Sequence, residues 1–161
     1  MKKFIIFFFL LTACSKNDSN EFSALWTIKE VDVDSNTSTV YLEIENNSNI
    51  QLNNGNWSLH WNQLGGAIIN SSLPNGIVSK RVNGEYYIMN FSSDYNISPG
   101  NKLELTFKLN GILNRIIYGP IGIFIHLNKE NTNYDVISKI DWKNAKEAKK
   151  IKRKENYVTK K

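Results

Sequence analysis

Apolar and polar residues alternate with period two along most of this chain. Trp57, Leu59 and Trp61 alternate with Ser58, His60 and Asn62, and Val40, Leu42 and Ile44 with Thr39, Tyr41, Glu43 and Glu45. Leu103, Leu105, Phe107 and Leu109 alternate with Lys102, Glu104, Thr106 and Lys108, and Tyr87, Met89 and Phe91 with Tyr86, Ile88 and Asn90. Period two marks a strand with one buried face. Three further runs read as strands: residues 25–33 around Trp26 and Ile28, residues 77–82, and residues 121–127 after the break at Pro120.

Turn signals separate the runs. Asn83-Gly84 predicts a tight hairpin with both residues at positive φ. Ser98-Pro99-Gly100-Asn101 fits a type II turn. Residues 34–38, 46–56 and 63–76 are polar or Gly-containing loops. Seven short strands without helical periodicity before residue 137 predict an all-β fold, an immunoglobulin-like β-sandwich with Trp57 and Trp61 in its core. From there the pattern changes. Ile137, Ile140, Ala145, Ala148 and Ile151 recur at helical spacing, and Ser138 with Asp141 resembles a capping box, which predicts a helix over 141–155 within a basic tail, 137–161.

The start of the chain belongs to no domain. Met1-Lys2-Lys3, an apolar run from Phe4 and the sequence Leu11-Thr12-Ala13-Cys14 read as a secretory signal over residues 1–13, too short to span a membrane. The last four residues resemble a bacterial lipobox, in which the Cys becomes the lipidated N-terminus. An ordinary signal peptide with Cys14 incidental is the blander alternative. The lipobox is favoured because Cys14 is the sole Cys and closes the apolar run. Lipidation predicts a chain anchored to the bacterial cell envelope, at the outer membrane or cell surface, with residues 14–23 as a polar tether and the domain over 24–136. Lys16 and Asp18 only weakly resemble a surface-export signal.

Charge divides sharply by region. The chain of 161 residues carries +5, but nine Lys/Arg against Glu147 and Glu155 put +7 in residues 143–161, while residues 14–142 hold nine bases and thirteen acids, a net −4. The basic balance therefore belongs to the tail, and an exported domain of acidic character does not suit nucleic acid. The tail could touch an anionic surface, but a solvated remnant of a linker is the favoured reading.

Four pieces, in order, resemble the N-terminal domain of bacterial chitobiases and β-hexosaminidases, the glycoside hydrolase family 20 enzymes. They are a strand ending in Asn46, the strand from Trp57 to Trp61, the stretch from Val82 to Met89 with Ser98-Pro99-Gly100, and Tyr118-Gly119-Pro120-Ile121-Gly122. The resemblance implies a β-sandwich regarded as carbohydrate-binding. His60 stands where the family pattern has Tyr. The family's catalytic Asp-Glu pair sits on a barrel of about 200–250 residues, so the resemblance gives this chain no hydrolytic activity of its own.

The remaining chemistry is sparse. His60 and His126 lie on different strands without Cys partners or metal-ligand spacing, so no metal or other cofactor is expected, and both read as surface residues of half-buried strands. Asp32/Asp34 and Glu43/Glu45 could in principle act on a glycoside, but at spacing two they read as solvated strand faces. The sequons at Asn36, Asn46 and Asn70 reflect an Asn-rich composition. Sugar binding needs rings laid against pyranose faces and polar groups for the hydroxyls. The candidates on predicted outer faces are Tyr41, His60, Tyr86 and Tyr118, each of which could equally serve cross-strand packing. The reading is a non-catalytic, envelope-anchored module for chitin-like or other N-acetylhexosamine glycans. Its alternative is a structural remnant that supports a hexosaminidase catalytic subunit without binding sugar.

Overall fold

The computed structural model describes residues 21–141 apart from Asn54. Cys14, the signal over 1–13 and the tail beyond Asp141 lie outside the described residues. Eight strands form: β1 (Phe22–Asp32), β2 (Thr37–Asn46), β3 (Trp57–Asn62), β4 (Ile77–Asn83), β5 (Tyr86–Phe91), β6 (Lys102–Asn110), β7 (Ile121–Leu127) and β8 (Thr132–Asp141). They hydrogen-bond in the order β4-β5-β3-β7-β8-β1-β2-β6, one ladder curled into a β-sandwich.

β8 makes the curl possible. Its first residues, Thr132 to Asp135, pair antiparallel with β7. Its remainder, Val136 to Asp141, pairs parallel with β1. One strand thus crosses from the β4-β5-β3-β7 layer to the β1-β2-β6 layer, and the two inner faces share a single core. Trp26 of β1 meets Trp61 of β3 across the layers at 6.1 Å and Phe107 of β6 edge-on at 5.6 Å. Trp57 stacks on Phe91 at 3.8 Å and Trp61 on Tyr87 at 5.6 Å. Trp57, Leu59 and Trp61 are fully buried, as the alternation predicts.

The strand count and the start of the tail need correcting. Residues 137–141 are not helical; they complete the eighth strand. The i, i+3 pair Ile137/Ile140 suggested a helix, but the inward residues are those of even number: Val136 is buried, Tyr134 and Ile140 are packed on the core, and Ile137 is half exposed. Period two is present there and is obscured by the one outward isoleucine. The tether is shorter as well, because β1 already starts at Phe22, which is fully buried. Within β1 the apolar phase slips from Ala24, Trp26 and Ile28 to Val31, and a bulge between Ile28 and Glu30 absorbs the extra residue.

Two turns show local chemistry at work. Gly100 takes φ +77° and Asn101 N–H donates to Ser98 O at 3.0 Å, the predicted type II turn. The β4–β5 hairpin is instead centred on Gly84-Glu85: Asn83 pairs with Tyr86 and only Gly84, at +50°, has positive φ. Glycine at the first central position is the type II′ pattern, so Asn83 belongs to the strand.

Buried polar side chains tie the loops to this frame. Asn46 is wholly buried; its Nδ2 donates to Ile50 O (2.7 Å) and Ile97 O (2.9 Å), and its Oδ1 accepts from Ser48 N (3.1 Å) and Ser48 Oγ (2.7 Å). Gln63 accepts from the Trp61 indole N–H at 3.1 Å and donates to Gly65 O and Gly66 O. Each knot satisfies carbonyls that a loop would otherwise leave unpaired.

Candidate functional site

The strand registers decide which side chains share a face. Ser58 pairs with Asn90 and His126, His60 with Ile88 and Phe124, and Asn62 with Tyr86. These residues lie on the outer face of the β4-β5-β3-β7 layer, with Lys80 opposite Ile88 on β4 and Asn133 and Asp135 opposite His126 and Phe124 on β8.

At the centre of that face is His60. Its ring stacks on Phe124 at 4.7 Å and 20°, meets His126 edge-on at 5.6 Å and lies 5.8 Å from Tyr86. Ser58 Oγ is 2.7 Å from His60 Nε2, and Tyr86 Oη is 2.5 Å from His60 Nδ1. A neutral imidazole has one donor and one acceptor nitrogen, and hydroxyls can play either part, so both contacts are satisfied at once. Burial, and behind it the neighbouring His126, pushes the His60 pKa down to about 4, which keeps the ring neutral near pH 7. His126 Nδ1 in turn donates to Asn133 Oδ1 at 2.8 Å.

The result is a row of rings, Tyr86, His60, Phe124 and His126, across three adjacent strands. Two strand spacings give it a width of about 10 Å. Ser58 and His60 are 2% and 8% exposed. His60 is therefore not the surface residue of a half-buried strand that the alternation suggests, because β3 sits between β5 and β7 and the rings on both neighbours cover it, whereas His126 on β7 is partly exposed. Tyr86, Phe124 and His126 are partly exposed, and Asn62, Asn90 and Asn133 lie in the open around them.

The other two sequence candidates fall elsewhere. Tyr41 lies on the outer face of the opposite layer, where its hydroxyl donates to Glu43 Oε2 at 2.9 Å. Lys102 Nζ reaches the same oxygen at 2.9 Å and Glu104 Oε1 at 2.6 Å, and Lys29 Nζ stands 4.6 Å from the Tyr41 ring centre. Loss of solvation and then the Glu43 carboxylate raise the Tyr41 pKa to about 12, while hydrogen bonds from Lys102 and Tyr41 lower that of Glu43. The ring is thus engaged in a charged surface network. A groove of about 290 Å³ opens nearby, lined by Leu25, Ile137, Glu45 and Lys139 among others. Tyr118 closes a short 3₁₀ turn (Ile116–Tyr118), and its ring covers Gly65: a Cβ there would lie 2.8 Å from it.

The acidic pairs have local work. Asp32 Oδ1 accepts from the N–H groups of Asp34 and Ser35, closing the turn after β1. Glu43 and Glu45 lie on an outer strand face, the former ion-paired. Among the described residues no three of His, Cys, Asp and Glu gather as metal ligands.

Phe124 is a member of the row that the sequence does not single out. It sits in an unbroken run, Ile-Gly-Ile-Phe-Ile-His-Leu, that gives no parity of its own. The available signal is its spacing of two from His126, which puts both on one face.

No protein-family model matches the chain, and no curated protein sequence matches it. Among solved structures, it is similar to the GH20 exo-β-N-acetylglucosaminidase of Vibrio harveyi in complex with N-acetylglucosamine, with TM-score 0.62 and 14% identity over 75% of this chain and 18% of the enzyme. An inactive mutant of that enzyme gives TM-score 0.61 at the same identity and coverage. These likenesses concern the fold. A looser one, with TM-score 0.47 and 10% identity over 74% of this chain and 98% of the other, is to the CBM3b of the scaffoldin subunit ScaA from Acetivibrio cellulolyticus. The chain spans 18% of the length of the Vibrio enzyme, and the fold it shares is the one the four-piece resemblance implied.

Proposed function

We propose that this chain is a non-catalytic glycan-binding β-sandwich that holds chitin-like or other N-acetylhexosamine chains on the outer face of β5, β3 and β7. The observation that carries the reading is the row Tyr86, His60, Phe124 and His126, flanked by the amides of Asn62, Asn90 and Asn133. Ring faces accept the C–H surface of a pyranose, and the amides both donate and accept toward its hydroxyls. The centre of the row carries no charge at neutral pH because His60 is neutral, which suits an uncharged glycan. The fold likeness to part of an enzyme complexed with N-acetylglucosamine makes that sugar the first probe. Attachment to the bacterial envelope through a lipid on Cys14 belongs to the same proposal.

Calorimetry with chitooligosaccharides, paired with a pull-down on insoluble chitin, tests it. Phe124→Ala is expected to lose about five- to tenfold in affinity, on the scale of one aromatic contact of about 1–1.5 kcal/mol. Tyr41→Phe, on the opposite layer, is expected to leave binding unchanged. No binding by the folded wild-type chain would overturn the reading in favour of a supporting element for a catalytic partner.

A further inference from the structure

The ring row ends on its β8 side at a carboxylate. Phe124 pairs with Asp135, so the two stand side by side on the outer face, with Cα atoms about 5 Å apart. Phe124 is partly exposed and Asp135 is exposed. A pyranose laid on the Phe124 ring has Asp135 at its rim.

That rim is negative. Among the described residues Asp135 takes part in no ion pair. Phe22 of β1 pairs with Val136, and the same parallel register carries Glu21, one residue earlier, alongside Asp135. The nearest lysine ahead on β8 is Lys139, four residues on, or about 13 Å, and it sits on the other layer opposite Leu25. In the other direction three residue pairs separate Asp135 from the β7–β8 turn that holds Lys129. Lys80 stands opposite Ile88 at the far end of the row, four strand spacings away, or about 19 Å. The row is therefore positive at its β4 rim, uncharged over His60 and negative at its β8 rim.

We propose that Asp135 selects hexosamine units with a free amino group, so that the row prefers a partly de-N-acetylated chain to a fully acetylated one. This deepens the glycan reading and rests on it. An acetylated unit offers Asp135 only neutral O–H and N–H donors. A free amine offers an ammonium, whose hydrogen bond to a carboxylate is charge-assisted. Lys80 sets the direction, because an ammonium is disfavoured at the β4 rim. The amine-bearing unit lies over Phe124, and acetylated units run back over His60 toward β5. The pair forms in solvent, so the gain is about two- to fivefold in affinity and is screened by salt.

Calorimetry at pH 6, where an alkyl amine is charged, compares two ligands of the full chain. One is the hexamer of N-acetylglucosamine; the other is the same hexamer after partial de-N-acetylation. The wild type is expected to favour the amine-bearing hexamer by about two- to fivefold in about 0.05 M salt and to lose the preference in about 1 M salt. Asp135→Asn is expected to abolish the preference and leave affinity for the acetylated hexamer nearly unchanged. Glu104→Gln makes the same change of charge at an exposed position on the opposite layer and is expected to keep the preference. Equal affinities of the wild type for the two hexamers would overturn the inference while the glycan reading stands. So would a preference that survives Asp135→Asn, or one that Glu104→Gln removes as fully. Binding of neither hexamer would overturn the glycan reading itself and this inference with it.

Discussion

Below pH 6.5 the buried imidazole of His60 should make the fold acid-sensitive. In the unfolded chain a histidine takes up its proton near pH 6.5; in the native chain His60 does so only near pH 4. Between those values the unfolded state binds more protons, so stability is complete above about pH 6.5 and is lost as pH falls toward 4. A shift of that size corresponds to at most about 3 kcal/mol, at about 1.4 kcal/mol per unit. The ring lies on an outer face, where a small opening lets water reach a charged imidazole, so a loss of about 2 kcal/mol is the working figure. The assay is urea denaturation of wild type and His60→Phe at several pH values between 4.5 and 8. The variant should be less stable than wild type at pH 7, by about 1–3 kcal/mol, because the Ser58 and Tyr86 hydroxyls lose their partner. Its stability should then fall less steeply as the pH drops, since the carboxylates that titrate lower down are common to both proteins. Parallel pH profiles for the two proteins would refute the reasoning.

Loop geometry gives two further stability predictions. Asn46→Ala removes four side-chain hydrogen bonds at a fully buried site and is expected to destabilise by about 3 kcal/mol in urea denaturation. Gly65→Ala forces a methyl group to within 2.8 Å of the Tyr118 ring and is expected to lower stability by about 1–3 kcal/mol, with part regained when Tyr118→Ala is added.

The strand pattern is largely legible in the sequence because most strands keep one face on a single core. Val40, Leu42 and Ile44 of β2, and Leu105, Phe107 and Leu109 of β6, alternate as cleanly in space as in sequence. β8 is not legible, because it serves two layers in turn and its outward Ile137 breaks the alternation. The Asn83-Gly84 dipeptide places the turn one residue early, since it specifies where positive φ is available and the strand register decides which residue uses it. Of the candidate rings, the alternation on β3 and β5 points His60 and Tyr86 the same way, but only cross-strand register brings them to one another and to Phe124. Tyr41 looks equivalent in sequence. It lies on the other layer because parity within a strand carries no information about which layer that strand joins.

Glycan binding on the ring row is tested most directly by an amide-resolved NMR titration of the full chain with chitooligosaccharides. Shift changes are expected to concentrate at Ser58, Tyr86, Asn90, Phe124 and His126. Changes centred on Tyr41, Leu25 and Ile137, or none at sugar concentrations that saturate ordinary glycan-binding modules, would contradict it.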